Sequence, residues 1–358
     1  MMLIHQNFIG GNITVKEIDG NTVVLENELR DTTEDWFYWA FCIEGAENKT
    51  LTFQFQNNRL GYFGPAISYD LVHWHWLDSV EINNKTGDSF TYSFSEKENK
   101  VYFAHSMLYH PHRFLNFAGN RNIRVQELCK GYKGSSVPCI EFGNGDISII
   151  LTARHHACES TGSYVLEGVL DELINNPIPD AKVFCVPFVD YEGVIRGDQG
   201  KSRAPHDHNR DYDLENPSIY PETDAIKAYA NANGCHFGFD FYSPWHLWGE
   251  NDTVFIVQNN IEKLDKLKHF GEIFERCITE TSLQYEHKND HPFGVSWNQG
   301  GKTFANYVKT KPKNDIAFTL ETTYFGTADN KATEEKLLEL GKCFAKALKH
   351  YVEEGQYS

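Results

Sequence analysis

A histidine and a glutamate three residues apart have the types and the spacing of metal ligands. His156 and Glu159 follow an apolar run, Ile147–Ala153, that predicts a buried strand. The spacing lets an imidazole and a carboxylate converge on one zinc ion, and a catalytic zinc takes three protein ligands and keeps one open position. A polar loop in which Glu159 caps the next helix is the alternative, since carboxylates are favoured near helix N-termini. The place after an apolar strand favours the metal site.

A long polar loop from Arg196 to Tyr212 follows the second apolar strand. Its arginine, lysine and asparagine side chains offer donors for a carboxylate and for a developing oxyanion. The alternative is a solvated loop with internal ion pairs. His206 and His208 form an H-x-H pair that allows metal binding in principle, although such pairs are more often ordinary loop histidines.

Two further apolar runs carry carboxylates at or near their ends, at Asp240 and Glu321. Burying a carboxylate without a partner is costly. Glu321 is therefore either a salt-bridged structural acid or a general base with a tuned pKa.

The elements that must position these residues alternate between strands and helices from about residue 101 onwards. The predicted strands are Ile147–Ala153, Lys182–Phe188, His236–Phe241 and Ile316–Glu321. The predicted helices are Tyr164–Ile174, Glu222–Ala232, Ile261–Thr281 and Ala332–Glu354. This order predicts an α/β fold with a mixed, mostly parallel sheet flanked by helices. Ligands of such sheets bind outside the carboxyl ends of the strands, where the candidate residues lie.

The first hundred residues have a different pattern of short aromatic and β-branched runs. The predicted strands are Thr22–Leu25, Trp36–Ile43, Leu51–Phe55 and Phe90–Phe94, and turn signals include Asp19-Gly20, Asn57-Asn58, Asn83-Asn84 and Gly87-Asp88. They predict a small antiparallel β-sandwich domain over 1–100, followed by the α/β domain over 101–358.

Charge and composition exclude several classes of partner. The formal net charge of −17, from 50 acidic and 33 basic residues, opposes general attraction to nucleic acid or anionic membranes. No apolar run approaches the roughly 18 residues that span a bilayer, and the first residues lack a signal-peptide pattern. The eight cysteines show no C-x-x-C spacing and indicate free thiols in a reducing compartment. We expect a cytoplasmic protein without nucleic-acid or membrane partners.

Four ordered segments resemble motifs of the zinc carboxypeptidase superfamily, above all its cytosolic carboxypeptidase branch with an N-terminal β-sandwich. Ala153–Ser160 resembles A-R-x-H-P-G-E-[TS], with Ala157-Cys158 in place of Pro-Gly. Tyr191–Val194 resembles N-P-D-G-V, His208–Tyr212 resembles L-N-R-x-[WY], and Thr319–Thr322 resembles T-L-E-S. Val101–Pro111 resembles the sequence that joins the two domains in that branch.

The resemblance implies a single zinc site and a role for each matching residue. His156 and Glu159 would be zinc ligands, and Asn209 and Arg210 would bind the C-terminal carboxylate of a substrate. Glu321 would be the base that takes a proton from water and returns it to the leaving amine.

Two positions depart from the family pattern. The arginine that polarises the scissile carbonyl falls on Gly200, so Lys201 and Arg203 are the nearest cationic candidates. The third zinc ligand, a histidine in D-[LFY]-H, falls on Tyr242, a poor ligand because a neutral phenol has a pKa near 10. Either Tyr242 or His246, four residues later, would complete the site.

These observations predict a zinc-dependent metallocarboxypeptidase-like hydrolase that cleaves a C-terminal or side-chain amide bond of a peptide. Retention of Glu321, Asn209 and Arg210 favours this enzyme. Tyr242 favours the alternative, a non-catalytic relative that binds a peptide or a small carboxylate. A third possibility is a related amidase or deacylase acting on an acylated amino acid.

Overall fold

The computed structural model describes residues 2–57, 59–78, 88–259 and 261–355. Two small sheets, built from residues 3–104, pack face to face ahead of a larger mixed sheet that helices cover on both sides. The α/β layout predicted from the strand and helix order is confirmed. The turn predictions at Asn57-Asn58, Asn83-Asn84 and Gly87-Asp88 fall wholly or partly outside the described residues.

The N-terminal part is a sandwich of a five-stranded and a four-stranded sheet. The first has the order β1 (Leu3–His5), β4 (Ala40–Glu44), β9 (Lys100–Ala104), β6 (Ala66–Ser68) and β7 (His75–Trp76). The second has the order β2 (Thr14–Asp19), β3 (Thr22–Glu26), β5 (Thr50–Phe55) and β8 (Ser89–Ser93). Neighbouring strands are antiparallel except for the parallel pair β3 and β5. Aromatic side chains fill the space between the sheets, among them Phe41, Phe53, Phe90 and Phe103.

Strand β9 spans the predicted domain boundary at residue 100. It is the central strand of the five-stranded sheet and pairs with β4 on one side and β6 on the other. A boundary after Ala104 would leave this sheet whole, and we propose that position for the division of the chain.

The larger sheet has seven strands, in the order β10 (Val125–Lys130), β11 (Ser136–Gly143), β13 (Ala181–Val186), β12 (Ile147–Ala153), β14 (Phe237–Tyr242), β16 (Ile316–Thr322) and β15 (Val254–Val257). Its four central strands are parallel, and the outer pairings are antiparallel. The central strands are buried on both faces, which explains their nearly continuous apolar sequences.

The helices are α1 (Pro111–Asn120), α2 (Thr161–Asn175), α3 (Tyr191–Arg196), α4 (Pro221–Asn233), α5 (Leu264–Cys277), α6 (Phe304–Val308) and α7 (Glu334–Glu353). Helices α2, α5 and α7 bury their apolar side chains with one face of the large sheet, and α4 and α6 with the other. Within the described residues, no helix has the length and apolar character needed to cross a bilayer.

N-terminal residues hold the loop that follows α3. Asp31 accepts hydrogen bonds from the backbone N–H groups of Gln199 and Gly200 at 2.9 and 2.8 Å. Gln199 in turn bonds through its side-chain amide to both backbone groups of Tyr38. The N-terminal part therefore fixes residues 199–200, next to Lys201.

Candidate active site

Three parallel strands end at one edge of the large sheet and bring the predicted residues together. Tyr242 on β14 and Glu321 on β16 are direct neighbours in the strand register, and His156 follows β12 by three residues. A cavity of about 100 Å³ opens at this edge. Five of the predicted site residues line it: His156, Asn209, Arg210, Tyr242 and Glu321.

The turn after β12 owes its shape to Arg154 and Gly200. Arg154 adopts a left-handed backbone conformation (φ 60°), and its guanidinium Nε donates to the carbonyl of Ala157 at 2.9 Å. Gly200 packs against this turn with a φ of 79°, and a Cβ there would lie 2.0 Å from the backbone nitrogen of Ala157. Position 200, where the family resemblance would place an arginine, therefore has no room for a side chain.

His156 lies between two carboxylates. Its Nδ1 is 2.9 Å from Oε1 of Glu159, and its Nε2 is 3.3 Å from Oδ1 of Asp207. If Nε2 carries the proton toward Asp207, Nδ1 presents a lone pair to the Glu159 carboxylate. Two acceptors so close need a proton or a cation between them. A carboxylate that orients a metal-binding imidazole is a usual feature of zinc sites, so the chemistry of His156 and Glu159 fits zinc.

Tyr242 lies at the cavity, at the position predicted for the third zinc ligand. Its ring centroid lies 5.0 Å from that of His156, and its buried hydroxyl has no hydrogen-bond partner among the described residues. Burial, together with the nearby carboxylates of Asp240 and Glu159, raises the pKa of the Tyr242 phenol well above its usual value. The phenol is therefore a weaker ligand than an imidazole.

His246 does not line the cavity. Its ring stacks on Phe37 at a centroid distance of 4.8 Å, and its buried Nε2 has no partner in the described part of the chain. Burial lowers the pKa of His246 to about 3. Of the two residues predicted as the third ligand, Tyr242 is the one at the cavity.

A different group of ligand-type residues lies on the N-terminal sheet. The group consists of His5, Cys42 and Glu44. Their possible ligand atoms all lie within 4.8 Å of one another, which is true of no other such group among the described residues. Lys100 pairs with Glu44 there at 3.1 Å, as expected for a cross-strand ion pair.

Lys201 contributes a cation to the cavity. Its ammonium lies 3.3 Å from Oε1 of Glu159. Burial alone would lower its pKa, but the carboxylates of Glu159, Glu321 and Asp207 outweigh burial and raise it. The ammonium therefore compensates part of the negative charge of the site.

Arg203, the second cationic candidate for polarising the scissile carbonyl of a substrate, does not line the cavity. Its buried guanidinium pairs with Asp31, Asp190 and Asp198 at 3.0, 2.8 and 3.3 Å. These three carboxylates occupy the donors that a substrate would need.

Asn209 and Arg210 belong to a single 3-10 turn, His208–Arg210, which Asp207 caps by accepting from the N–H of Asn209 at 3.0 Å. The Asn209 side-chain carbonyl accepts from the N–H of Phe304 at 2.9 Å. Arg210 is exposed at the cavity and forms no ion pair with a carboxylate of the described residues. Its guanidinium is available to a ligand.

The H-x-H pair does not form a metal site. Nε2 of His206 contacts Asp211 at 2.8 Å, and the ring of His208 stacks on Tyr220 at 3.7 Å. Both are structural histidines of the loop.

Glu321 is 7% exposed, and its Oε2 has no hydrogen-bond partner among the described residues. Burial and the negative charge of Glu159 raise the pKa of Glu321 well above its usual value, and the Lys201 ammonium opposes the shift. A carboxyl group with a raised pKa is suited to exchange a proton with a reacting group.

Sequence reasoning missed two contributors to the site, Asp207 and Asn259. They reach it through contacts with segments distant in the chain, and no local spacing marks them. Lys201, named as one of the two cationic candidates, lines the cavity. Asp240 was noted only as an acid in an apolar run, and it accepts from the hydroxyl of Thr152 at 2.8 Å beneath the cavity.

No protein-family model matches the chain. An uncharacterised protein of Zymomonas mobilis is 27% identical over 315 residues, which cover 81% of this chain and 80% of that protein. Cytosolic carboxypeptidase 2 of Macaca fascicularis is 28% identical over 206 residues, and that of Xenopus tropicalis is 21% identical over 314 residues. These matches cover 49% and 79% of this chain but only 24% and 32% of those proteins.

Solved structures of metallo-carboxypeptidases have the same fold as this protein over almost the whole chain. A metallo-carboxypeptidase from Burkholderia cenocepacia superposes with a TM-score of 0.80 at 19% identity and covers 99% of both chains. A metallo-carboxypeptidase from Pseudomonas aeruginosa, solved in complex with (2-guanidinoethylmercapto)succinic acid, gives a TM-score of 0.78 at 20% identity, covering 98% of this chain and 99% of that one. The chain therefore has the fold of the metallocarboxypeptidases, and its resemblance to the cytosolic carboxypeptidases is confirmed.

Proposed function

We propose that the protein is a zinc-dependent hydrolase that cleaves the amide bond next to a free carboxylate of a peptide. One observation carries the proposal. His156, Asn209, Arg210, Tyr242 and Glu321 come from four separate segments and line one cavity. A purely structural role would not require an arginine without a carboxylate partner among the described residues and a buried acid at the same cavity.

Arg210 and Asn209 bind the carboxylate of the substrate in this proposal. A guanidinium forms two parallel hydrogen bonds with a carboxylate, and that of Arg210 pairs with no protein carboxylate in the described ranges. The turn is held by Asp207 and by the Asn209–Phe304 contact, so little reorganisation is needed when the substrate binds.

His156, Glu159 and Tyr242 would hold the metal. Bound zinc would supply a Lewis acid that polarises the scissile carbonyl and acidifies water. Asp207 orients the imidazole of His156, and Lys201 places a second positive charge beside Glu159.

Glu321 exchanges the proton. It accepts a proton from the attacking water and returns it to the leaving amine, and burial with a raised pKa suits both steps. Lys201 is the cation at the cavity that remains to stabilise a developing oxyanion, in place of Arg203.

A metal-free binding protein is the second candidate. It is favoured by the contact of 3.3 Å between the Lys201 ammonium and Glu159, because this cation already neutralises one of the expected metal ligands. The phenol of Tyr242 also favours a metal-free binding protein, since a phenol binds zinc only after losing its proton.

The test combines metal analysis with a hydrolysis assay. We expect about one zinc per chain in the native protein and release of the terminal residue from a panel of peptides that differ in that residue. Glu321→Gln keeps the size of the side chain but should lower the rate at least about a hundredfold. A metal-free protein that binds a carboxylate ligand without turnover would establish the second candidate instead.

The eight free thiols favour a reducing compartment, and we propose the cytoplasm as the place where the enzyme acts. A peptide is the proposed partner, and no nucleic acid or membrane is required for the reaction.

A further inference from the structure

Four asparagines line the cavity, and three of them are already engaged. Asn209 accepts through its side chain from the N–H of Phe304. Asn298 donates to the carbonyls of Gln258 and Pro292 at 2.7 and 3.1 Å. Asn306 donates to the carbonyl of Gly301 at 3.1 Å. Each of these amides is used, at least in part, to hold the cavity wall.

Asn259 differs from the other three. It is 6% exposed, and neither its side-chain oxygen nor its side-chain nitrogen has a hydrogen-bond partner among the described residues. A buried donor or acceptor left unpaired costs about 1–3 kcal/mol, so two such atoms on one side chain need an explanation. A ligand group that pairs with both atoms would remove the cost.

The backbone around Asn259 is well supported. Its carbonyl accepts from the ammonium of Lys309 at 2.6 Å, and the preceding residue, Gln258, bonds to Asn298 and His291. Asn259 follows β15, whose last residue, Val257, pairs with Thr319 on the strand of Glu321. The amide is therefore presented to the cavity from a fixed position beside the strand that carries the proposed base.

The complement of an unpaired carboxamide is a second carboxamide, which offers one acceptor and one donor in the same plane. A carboxylate would satisfy the nitrogen of Asn259 but face its oxygen with a like partial charge. An ammonium would satisfy only the oxygen, and an apolar side chain would satisfy neither atom.

We propose that Asn259 selects a terminal substrate residue with a carboxamide side chain, asparagine or glutamine. The proposal rests on the proposed function, because Arg210 must hold the neighbouring carboxylate while the side chain enters the cavity. Arg210 is exposed and Asn259 is buried, which suits a ligand with its carboxylate at the mouth and its side chain inside.

The test is a binding measurement with three ligands of similar size: N-acetyl-glutamine, N-acetyl-glutamate and N-acetyl-methionine. In the wild-type protein we expect the glutamine ligand to bind at least about tenfold more tightly than the other two. Similar affinity for all three would overturn the proposal and leave the proposed function standing. Binding of none of them would contradict the proposed carboxylate site itself.

Asn259→Leu assigns the selectivity to this residue, because leucine has nearly the same size but no polar atoms. We expect the glutamine preference to disappear and the methionine ligand to bind at least as well as the glutamine ligand. An unchanged preference would overturn the role of Asn259. The comparison of the three ligands in the wild-type protein tests the proposal even if Asn259→Leu fails to fold. Asn259→Asp is the second variant, and we expect it to bind the glutamate ligand more weakly than the wild type does.

Discussion

At the scale of single residues, the proposed metal site differs from an ordinary three-ligand zinc centre at one position. His156 is paired with Glu159 and oriented by Asp207, whereas Tyr242 offers a phenol whose pKa is raised by burial. Removing one of three strong ligands usually leaves weak zinc binding, so in the proposed site Tyr242 would decide whether the metal is held.

We expect Tyr242→His to raise zinc affinity, by at least about tenfold, because an imidazole is a better zinc ligand than a protonated phenol. Hydrolysis should rise with it, since Glu321 and Lys201 stay in place. Zinc affinity should be compared among the wild type, Tyr242→His, Tyr242→Phe and His246→Ala at one pH and salt concentration.

Two outcomes would contradict this account of Tyr242. Tight binding by the wild type that is lost in His246→Ala would make His246 the ligand, although its ring stacks on Phe37 outside the cavity. No gain in affinity or activity in Tyr242→His would favour the metal-free binding protein.

Arg210→Lys should weaken binding of a carboxylate ligand about tenfold although the charge is kept, because an ammonium cannot reproduce the planar pair of hydrogen bonds. Titration calorimetry with an N-acetyl amino acid measures the change. Arg276→Lys, at an exposed position on α5, is the matched control and should bind as the wild type does. Equal affinity in both variants would exclude Arg210 as the carboxylate clamp.

At the scale of elements, the sequence predicted the strands that carry the site, but it did not predict the outer strands of the same sheet. The sequence predicted Ile147–Ala153 with its observed bounds because all seven residues are buried, which leaves a continuous apolar run. It predicted a strand over Trp36–Ile43, but the strand begins at Ala40. Trp36 and Phe37 are buried instead by Trp245 and His246 from the other half of the chain. A run of aromatic residues indicates that the side chains are buried. It does not show that the segment is a strand, because residues outside a sheet can be buried as well.

The helix predicted over Ile261–Thr281 is shorter in the structure. A 3-10 turn over Ile261–Lys263 precedes α5, and the chain becomes extended at Ile278. Strands β10, β11 and β15 were not predicted. β15 has only four residues, too few to show a period of two, and β10 has no fully buried residue. Asn259, which follows β15, could not be identified from the sequence because its role depends on contacts with segments distant in the chain.

The loop that carries Lys201 depends on Asp31. Asp31→Asn replaces one acceptor oxygen with an amino group, which would face the donors of Gln199 or of Gly200 and Arg203. We expect the rate of hydrolysis to fall several-fold as Lys201, the proposed oxyanion donor, loses its support, with a loss of stability of about 1–3 kcal/mol. Asp329→Asn, at an exposed loop residue, is the control. A loss of stability with an unchanged rate of hydrolysis would show that the loop does not depend on Asp31 for the placement of Lys201.

Strand β15, which precedes Asn259, is held by a half-buried acid. Asp290 accepts from the N–H of Ile256 at 2.9 Å and from the hydroxyl of Tyr285, and burial raises its pKa from 3.8 to about 7. The folded protein therefore binds the proton more tightly than the unfolded chain, so this group's contribution to stability is present below about pH 4 and is lost as the pH rises to 7.

Asp290→Asn removes the titration. We expect the free energy of unfolding of the wild type to fall relative to Asp290→Asn between pH 4 and 7, by up to roughly 4 kcal/mol. Denaturant unfolding of both proteins across this range measures the difference. A difference that is constant with pH would show that the pKa of Asp290 is not raised.

At the scale of the whole molecule, the N-terminal sandwich and the α/β part share one apolar core. Trp76 of the five-stranded sheet, Phe114 of α1, Tyr164 of α2 and Phe325 after β16 belong to the same buried cluster. The indole N–H of Trp76 donates to the carbonyl of Ala332 at 2.7 Å. The sandwich is therefore part of the folding unit that holds the cavity, and we expect a single unfolding transition.

Glu334 at the start of α7 joins the two parts directly. One carboxylate oxygen accepts from the backbone N–H of Trp74 at 2.7 Å, and the other accepts from the guanidinium of Arg113 at 2.6 Å. Arg113 also pairs with Glu167 of α2 at 3.2 Å. The buried carboxylate therefore connects the segment just before β7 with α1, α2 and α7.

Glu334→Gln keeps the size of this side chain and one acceptor, but it turns its amino group toward either the Arg113 guanidinium or the Trp74 N–H. Two donors then face each other in a buried place, which costs about 1–3 kcal/mol. We expect the midpoint of denaturant unfolding to fall, with tryptophan fluorescence and far-UV circular dichroism still changing together, because both parts share the core. Glu17→Gln, at an exposed position of β2, makes the same chemical change and should leave the midpoint unchanged. If the two signals separate in Glu334→Gln, the sandwich unfolds on its own and the shared core is not what holds the molecule together. If the midpoint does not move, the Trp74 and Arg113 contacts contribute nothing to stability.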